Sequence, residues 1–297
     1  METADFFKPL LYSLVRYLII LTASYVLTAF AFPYLRGLIS EAKFMKPNYR
    51  NEPIPAAAGL IFIVMLPIIT GIGLILRLQS FSSINVFLLL FVIMGMGFLG
   101  FLDDQLGTHQ EKGFRGHFTA LIKEHRLTTG GFKALFGAVI AVVFCIGTAQ
   151  LIKTNWAPWQ VLINFFLVAL ATNTLNLFDL RPGRAGKVYI IGFILIWAFS
   201  SRFDDYLGLF IPILAIMAYY LPLDLKAKVM LGDVGSNLLG ASLGVMMAWM
   251  FSDLAKIVAV ILLVGLQMAA EKYSFTEVIE RFRLLRSFDE LGRRKYS

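Results

Sequence analysis

The chain has 297 residues, of which 58% are hydrophobic and only 15% charged, and its mean hydropathy is +0.74. Soluble domains carry about a quarter charged residues, so a soluble globular protein is excluded and a polytopic membrane protein is indicated. The net charge of +8 rests on 27 Lys and Arg, and the single cysteine, Cys145, excludes a disulfide framework or a thiolate metal site.

Nine apolar runs approach the roughly 20 residues a bilayer-spanning helix needs. In chain order they lie near Leu10–Phe32, Pro55–Leu76, Ile84–Leu102, Gly131–Ile152, Pro158–Phe178, Val188–Ser201, Tyr206–Pro222, Val234–Met250 and Leu254–Ala270. The first is long enough to span and lacks a small-residue cleavage site after a short core. All Lys and Arg except Lys8, Arg16, Arg77, Lys153, Arg202 and Lys256 fall in the loops after the odd-numbered runs or in the C-terminal tail. The positive-inside rule therefore predicts an outside N-terminus and a cytoplasmic C-terminus in a cell membrane. It also explains the excess charge as a membrane face, without nucleic acid. The outside loops are short and the cytoplasmic ones hold nearly all the unusual polar residues, which places function on the cytoplasmic face.

At the end of the third run, Phe101–Gly107 reads F-L-D-D-Q-L-G. The adjacent carboxylates of Asp103 and Asp104 repel one another near a low-dielectric boundary, and a divalent cation removes that cost. Hard oxygen ligands suit Mg²⁺ or Mn²⁺. The plain alternative is a polar stop that keeps the helix from sliding into lipid. The fifth run ends N-T-L-N-L-F-D, with Asn173, Asn176 and Asp179 at i, i+3 and i+6, a polar stripe at the cytoplasmic end of a helix. Hydrogen bonding between helices would account for the two asparagines but not for Asp179.

Past the stripe comes D-L-R-P-G-R, Asp179–Arg184. Pro182 and Gly183 make a stiff turn that presents Arg181 and Arg184, at least one of which would grip a diphosphate or a negatively charged sugar bidentately; the plain alternative is two arginines anchoring a cytoplasmic helix end. Before the eighth run, M-L-G-D-V-G-S sets Asp233 between Gly232 and Gly235 at a helix start. Asp233 reads either as an N-cap or, with its glycines and the positive helix end, as part of an anion site. Acidic groups facing basic loops on one face suggest a metal-bound diphosphate. His109, His117 and His125, eight residues apart in the third-to-fourth loop, read as surface or phosphate-contacting groups, because zinc-binding helices use closer spacings.

With these residues in order, the sequence resembles the polyprenyl-phosphate N-acetylhexosamine-1-phosphate transferase family over most of its length. K-P-N-Y-R-N-E-P-I-P-A-A-A-G, Lys46–Gly59, resembles the family's first cytoplasmic loop. F-L-D-D resembles its aspartate pair, N-T-L-N-L-F-D its N-x-x-N-x-x-D helix end, and L-G-D-V-G-S its G-D-x-G-S loop. T-T-G-G-F-K places Lys133 where the family opens its next helix with a basic residue. The chain departs from the family in reading D-L-R-P-G-R where D-G-L-D-G is common, and in lacking histidines in its tail.

The resemblance implies one all-α transmembrane catalytic domain over 1–297, a bundle of about nine to ten spanning helices with its active site on the cytoplasmic face. It implies attack by a polyprenyl phosphate oxygen on the β-phosphorus of a UDP-sugar, with UMP leaving and Mg²⁺ (or Mn²⁺) as cofactor. Asp233 and Asp104 would hold the metal, and Asp103, Asp104 and Asp233 would form the catalytic set. Lys46, Lys133, Asn173, Asn176, Asp179, Arg181, Arg184, Arg281 and Arg283 would bind substrate. The partners implied are the lipid carrier, the nucleotide-sugar and the membrane, and a homodimer is left open. Two rival readings stay in view: a catalytically inactive relative serving as a binding or assembly protein, and a transporter, which would place its polar residues near the bilayer midplane.

Overall fold

The structure, a computed structural model, describes residues 2–78, 82–107, 128–151, 157–200 and 203–293. The histidine-bearing segment lies outside them. Among the described residues the chain is almost wholly helical: α1 (Glu2–Glu41), α2 (Leu60–Ile75), α3 (Ser83–Leu106), α4 (Thr129–Leu151), α5 (Pro158–Phe178), α6 (Arg184–Phe199), α7 (Phe203–Leu225), α8 (Gly232–Met250) and α9 (Asp253–Lys272). Two short helices, α10 (Phe275–Arg281) and α11 (Arg283–Glu290), close the chain. A hairpin of β1 (Met45–Pro47) and β2 (Pro53–Pro55), paired antiparallel, sits between α1 and α2.

Six of these helices are long and apolar enough to cross a membrane, within α1, α3, α4, α5, α7 and α9. The protein is a multi-pass all-α membrane protein. The apolar runs match helices α1–α9, with one informative exception. Pro55–Gly59 was expected to open the second helix, yet it stays extended or turned. The reason is backbone pairing: Met230 N–H donates to Pro55 O at 2.8 Å, Ala58 N–H to Met230 O at 3.0 Å and Gly59 N–H to Leu231 O at 3.1 Å. These bonds splice the hairpin strand to the segment that leads into α8.

α8 is the axis of the bundle. Every residue from Val234 to Met250 is buried, and α3 and α5 flank it most closely. The approach of α5 depends on small residues: a Cβ on Gly240 would lie 2.5 Å from Ala171 O, and one on Gly244 would lie 2.6 Å from Val168 Cα. Small residues four apart let helix backbones close up where lipid offers no hydrophobic drive to associate. Cys145, read from the sequence as packing, is fully buried in the shared core. The outer helices turn apolar side chains outward instead; Leu254, Ile261 and Leu262 of α9 are all more than 60% exposed, as a lipid-facing helix requires.

Candidate active site

At one end of the bundle the carboxylates of α3 meet the first turn of α8. Gly232 has φ +72°, and a Cβ there would lie 2.6 Å from Ala56 O and 2.7 Å from Asp104 Oδ2. Only glycine fits both the left-handed conformation and the space. The turn it makes aims the backbone N–H of Asp233 at Asp104 Oδ2, 2.7 Å away. The other Asp104 oxygen, Oδ1, accepts from Lys46 Nζ at 3.0 Å, and the carboxylate as a whole is only 9% exposed. An anion thus already sits at the positive end of α8, and it is a side chain of the protein. The two glycines make room, Gly232 for Ala56 and Asp104, Gly235 for Leu231 and Gly59.

Asp103, one residue earlier, points to a different partner. Lys133 Nζ of α4 lies 3.4 Å from Asp103 Oδ2 and 2.5 Å from Asp233 Oδ2. One ammonium therefore bridges two carboxylates from α3 and α8. Asn176 of α5 donates to the same Asp233 oxygen at 3.2 Å, and Asn176 Oδ1 accepts from Ser236 Oγ at 2.9 Å. Four helices contribute to this cluster; Asp103, Lys133, Asn176 and Asp233 remain partly open to the surface, and Ser236 is buried beneath them. Asp179 caps the C-terminal end of α5 beside it. Burial, then the carboxylates of Asp224, Asp233 and Asp104, push its carboxyl well above the ordinary 3.8, against a lowering contribution from the Gly232 N–H it accepts.

Lys46 reaches the cluster because Asn48 orders the hairpin. Asn48 Oδ1 accepts from Arg50 N–H at 2.8 Å and Glu52 N–H at 3.1 Å, while Nδ2 donates to Glu52 Oε2 at 3.0 Å and to Ala227 O at 3.2 Å. Asn48 is buried in doing so. Nothing in its K-P-N-Y setting singled it out beyond the turn preference of asparagine.

Several expected substrate contacts are placed elsewhere. Asn173 Nδ2 donates to Gln267 Oε1 of α9 at 2.7 Å, away from the carboxylates. Each step of three residues turns about 60° around a helix, so the two ends of an i, i+6 stripe face different neighbours. Arg184 is 3% exposed. Its Nε and Nη2 meet Asp289 Oδ1 and Oδ2 at 2.8 and 2.9 Å, and Nη1 donates to Thr276 Oγ1 at 3.0 Å. The fork foreseen for a diphosphate is filled by the protein's own tail. Arg181 lies 3.5 Å from Glu280, and Arg281 and Arg283 are exposed, with no contact to the cluster among the described residues.

The tail is held by a set of contacts that no sequence motif announced. Arg293 donates to both oxygens of Asp289 and, through Nε, to Pro182 O at 2.8 Å. Lys187 Nζ donates to the carbonyls of Phe288, Asp289 and Leu291, capping the C-terminal end of α11. Phe178 and Phe275 stack with centroids 4.9 Å apart and planes 7° from parallel. The Pro-Gly turn is real, with Gly183 at φ +72°, and its product is a docking edge for α10 and α11.

Asp103 and Asp233 fit a divalent cation. Their hard oxygens converge closely enough for one ammonium to satisfy both, and that ammonium marks where a positive charge is favoured. Among the described residues no three His, Cys, Asp or Glu side chains gather as a complete ligand cage. Mg²⁺ is typically bound through one or two carboxylates and completed by water and substrate phosphates, so two suffice. Asp104, expected as a ligand, accepts from the Asp233 N–H at one oxygen and from Lys46 at the other.

A helical membrane bundle with an aspartate pair, an Asn-Asp helix end and a Gly-Asp-x-Gly-Ser helix start at one face defines a recognisable class. The chain belongs to glycosyl transferase family 4, whose family model matches residues 86–251, from the start of α3 to the end of α8. Among individual proteins it is similar to the phospho-N-acetylmuramoyl-pentapeptide-transferases of Fervidobacterium nodosum (28% identity over 236 residues, 74% of this chain and 70% of the relative) and Staphylococcus saprophyticus (28% over 258 residues, 80% and 73%). The Bacillus subtilis enzyme of that name is 28% identical over 244 residues, 74% of this chain and 69% of the relative. The matched family region contains Asp103, Asp104, Lys133, Asn176, Asp179 and Asp233; the Lys46 hairpin and the docked tail fall outside it.

Proposed function

We propose that this protein transfers a sugar-1-phosphate, N-acetylhexosamine-1-phosphate in the simplest case, from a UDP-sugar to a polyprenyl phosphate at the cytoplasmic face, as a step in building a cell-envelope glycan. The observation that carries the reading is the Lys133 bridge between Asp103 and Asp233, a cation held between two carboxylates from different helices. Membership of the glycosyl transferase family and the activity for which the relatives are named support it.

In this reading an oxygen of the acceptor phosphate forms a bond to the β-phosphorus of the donor. The bond from that phosphorus to the bridging oxygen breaks, and UMP leaves with the bridging oxygen and its electron pair. Phosphoryl transfer of this kind asks a protein mainly for positioning and charge stabilisation. Asp103 and Asp233 would hold Mg²⁺, which when bound screens the charge on the diphosphate. Lys133 and Lys46 present their ammonium groups to phosphate oxygens, Asn176 fixes the orientation of Asp233, and Asp104 keeps the first turn of α8 in place.

The test is to incubate membranes holding the protein with radiolabelled UDP-sugars, polyprenyl phosphate and Mg²⁺, and to follow label into the lipid phase with matching release of UMP. Failure of every UDP-N-acetylhexosamine and UDP-muramoyl peptide to label lipid would overturn the reading. A second reading, an inactive relative that binds without turnover, draws on the buried Arg184–Asp289 pair, because the loop that departs from the family pattern is covered by the tail. It predicts saturable UDP-sugar binding with no UMP produced.

A further inference from the structure

A second charged site lies at the opposite end of the bundle. The first turns of the spanning part of α1 and the C-terminal end of α2 border an open pocket of about 360 Å³, lined among others by Tyr12, Ser13, Arg16 and Arg77. Arg16 lies in α1 and Arg77 in the turn just past α2, and both line the same space. Arg16 lies over the ring of Tyr17 at 5.5 Å, and its Nε is buried with no hydrogen-bond partner. No carboxylate pairs with either arginine among the described residues. α2 separates this pocket from the carboxylate cluster; its 16 residues span about 24 Å, so the two sites face opposite leaflets.

The backbone at Arg77 adds an independent observation. Arg77 has φ +52°. Leu78 N–H donates to Gly73 O at 2.9 Å and Arg77 N–H to Leu74 O at 3.1 Å. That pattern is the left-handed helix stop at which glycine is the usual residue. The chain instead carries a long cation in a conformation that disfavours any Cβ, on the side of the membrane that the charge rule leaves poor in cations. Two guanidiniums that line one space, one of them with a buried Nε lacking a partner, favour an anion with oxygens on several sides. A phosphate ester meets that need better than a carboxylate, because its tetrahedral oxygens can face donors from both arginines at once.

We propose that the Arg16–Arg77 pocket binds a phosphate group, supplied by the headgroup of an anionic phospholipid in the leaflet opposite the carboxylate cluster. Tyr12 and the apolar residues beside it then flank the glycerol and the first carbons of the acyl chains, so the lipid seals the gap between α1 and α2. The site is separate from the transfer reaction and stands whether or not that reaction is confirmed.

The experiment titrates the delipidated full-length protein in detergent with dioleoyl phosphatidylglycerol or with dioleoylglycerol, which has the same chains and no phosphate, and counts bound lipid by native mass spectrometry. A parallel series adds inorganic phosphate alone. Wild type should retain the phosphatidylglycerol selectively, and Arg16→Gln and Arg77→Gly should each weaken retention about tenfold, the scale of one charge-assisted contact. Arg77→Gly should melt no lower than wild type, because glycine suits the left-handed stop, and this separates lost binding from lost folding. Retention by both variants equal to wild type would overturn the site, as would equal retention of dioleoylglycerol. Occupancy by inorganic phosphate without selection for phosphatidylglycerol would show a soluble anion site and overturn the lipid assignment.

Discussion

Asp104 and Asp233, 129 positions apart in sequence, are joined by a single 2.7 Å hydrogen bond from the backbone of one to the carboxylate of the other. That bond divides the adjacent aspartates of α3 into two kinds. Asp104 completes the start of α8, while Asp103 faces the Lys133 bridge. Asp104→Ala should therefore cost about 1–3 kcal/mol of stability, the range for a lost charged cap and a freed buried donor. Asp104→Asn should recover much of that, since an amide oxygen still accepts the N–H. Thermal unfolding in detergent reads the difference, and equal losses in the two variants would contradict the capping role.

Asp233→Asn keeps the shape of the first turn and the backbone donation to Asp104. With the charge gone the cation site loses half of its carboxylates. Transfer activity should drop by orders of magnitude with little change in melting temperature, because fixed charges facing the developing transition state carry much of such a rate. The same substitution at Asp103 should act in the same direction. Full activity of Asp233→Asn at low Mg²⁺ would refute the pairing.

Lys133→Met removes the ammonium from between Asp103 and Asp233. The bare carboxylates then repel, so the variant should melt below wild type without divalent cation. Added Mg²⁺ should raise its melting point by more than it raises that of wild type, since ligand binding to the folded form stabilises it with the logarithm of affinity and no resident cation competes. Identical Mg²⁺-induced shifts in the two proteins would count against the bridge as a cation site.

Arg184→Met removes one of the two guanidiniums that hold the buried Asp289 and leaves it to Arg293, which should cost about 1.5–3 kcal/mol, the scale of lost hydrogen bonds to a charged group. It should also free α10 and α11 for proteolysis, and Arg184→Lys should do so in part because an ammonium cannot span both oxygens of Asp289. The pH dependence has a definite sign. Burial acts to raise the Asp289 carboxyl, but hydrogen bonds from Arg184 and Arg293 outweigh it and hold the group below its ordinary 3.8. The folded form is therefore the poorer proton binder here. The contribution of Asp289 is fully present above 3.8 and disappears as pH falls through its lowered value. Tail proteolysis that stays constant across that acidic window would contradict the account.

Asp179 has the opposite sign. Its carboxyl is raised in the folded protein, so folding takes up a proton there, and stability falls as pH rises from 3.8 through the raised value. Asp179→Asn should flatten that part of the stability–pH curve and raise stability at its upper end. A curve with unchanged slope would show that the carboxyl is not held in its neutral form.

The bundle was legible because lipid imposes a simple rule on sequence: long apolar runs punctuated by polar loops, with cations sorted to one side. The cluster was legible in part for a related reason, since Asp103, Asp233 and Asn176 are polar groups in otherwise apolar text. The division of labour between Asp103 and Asp104 was not, because adjacent side chains differ only in which neighbour each meets, and those neighbours are 30 and 129 residues away. Arg184 shows the harder limit. A guanidinium beside a Pro-Gly turn reads equally well as a hand for a ligand or for Asp289, and the choice depended on where a charged C-terminal helix came to rest.

The complete burial of α8 bears on how the protein is made. α8 holds Asp233, Ser236, Asn237 and Ser242, and it is absent from the six helices apolar enough to cross a membrane unaided. A translocating chain has little reason to leave such a segment in hydrocarbon by itself. Its place in the bilayer is secured by α3 and α5, which leave the ribosome earlier. Insertion of α8 should therefore coincide with assembly of the carboxylate cluster. A chain that fails to pack its earlier helices loses the Asp233 end of the site together with its topology, in a form that membrane quality control can recognise.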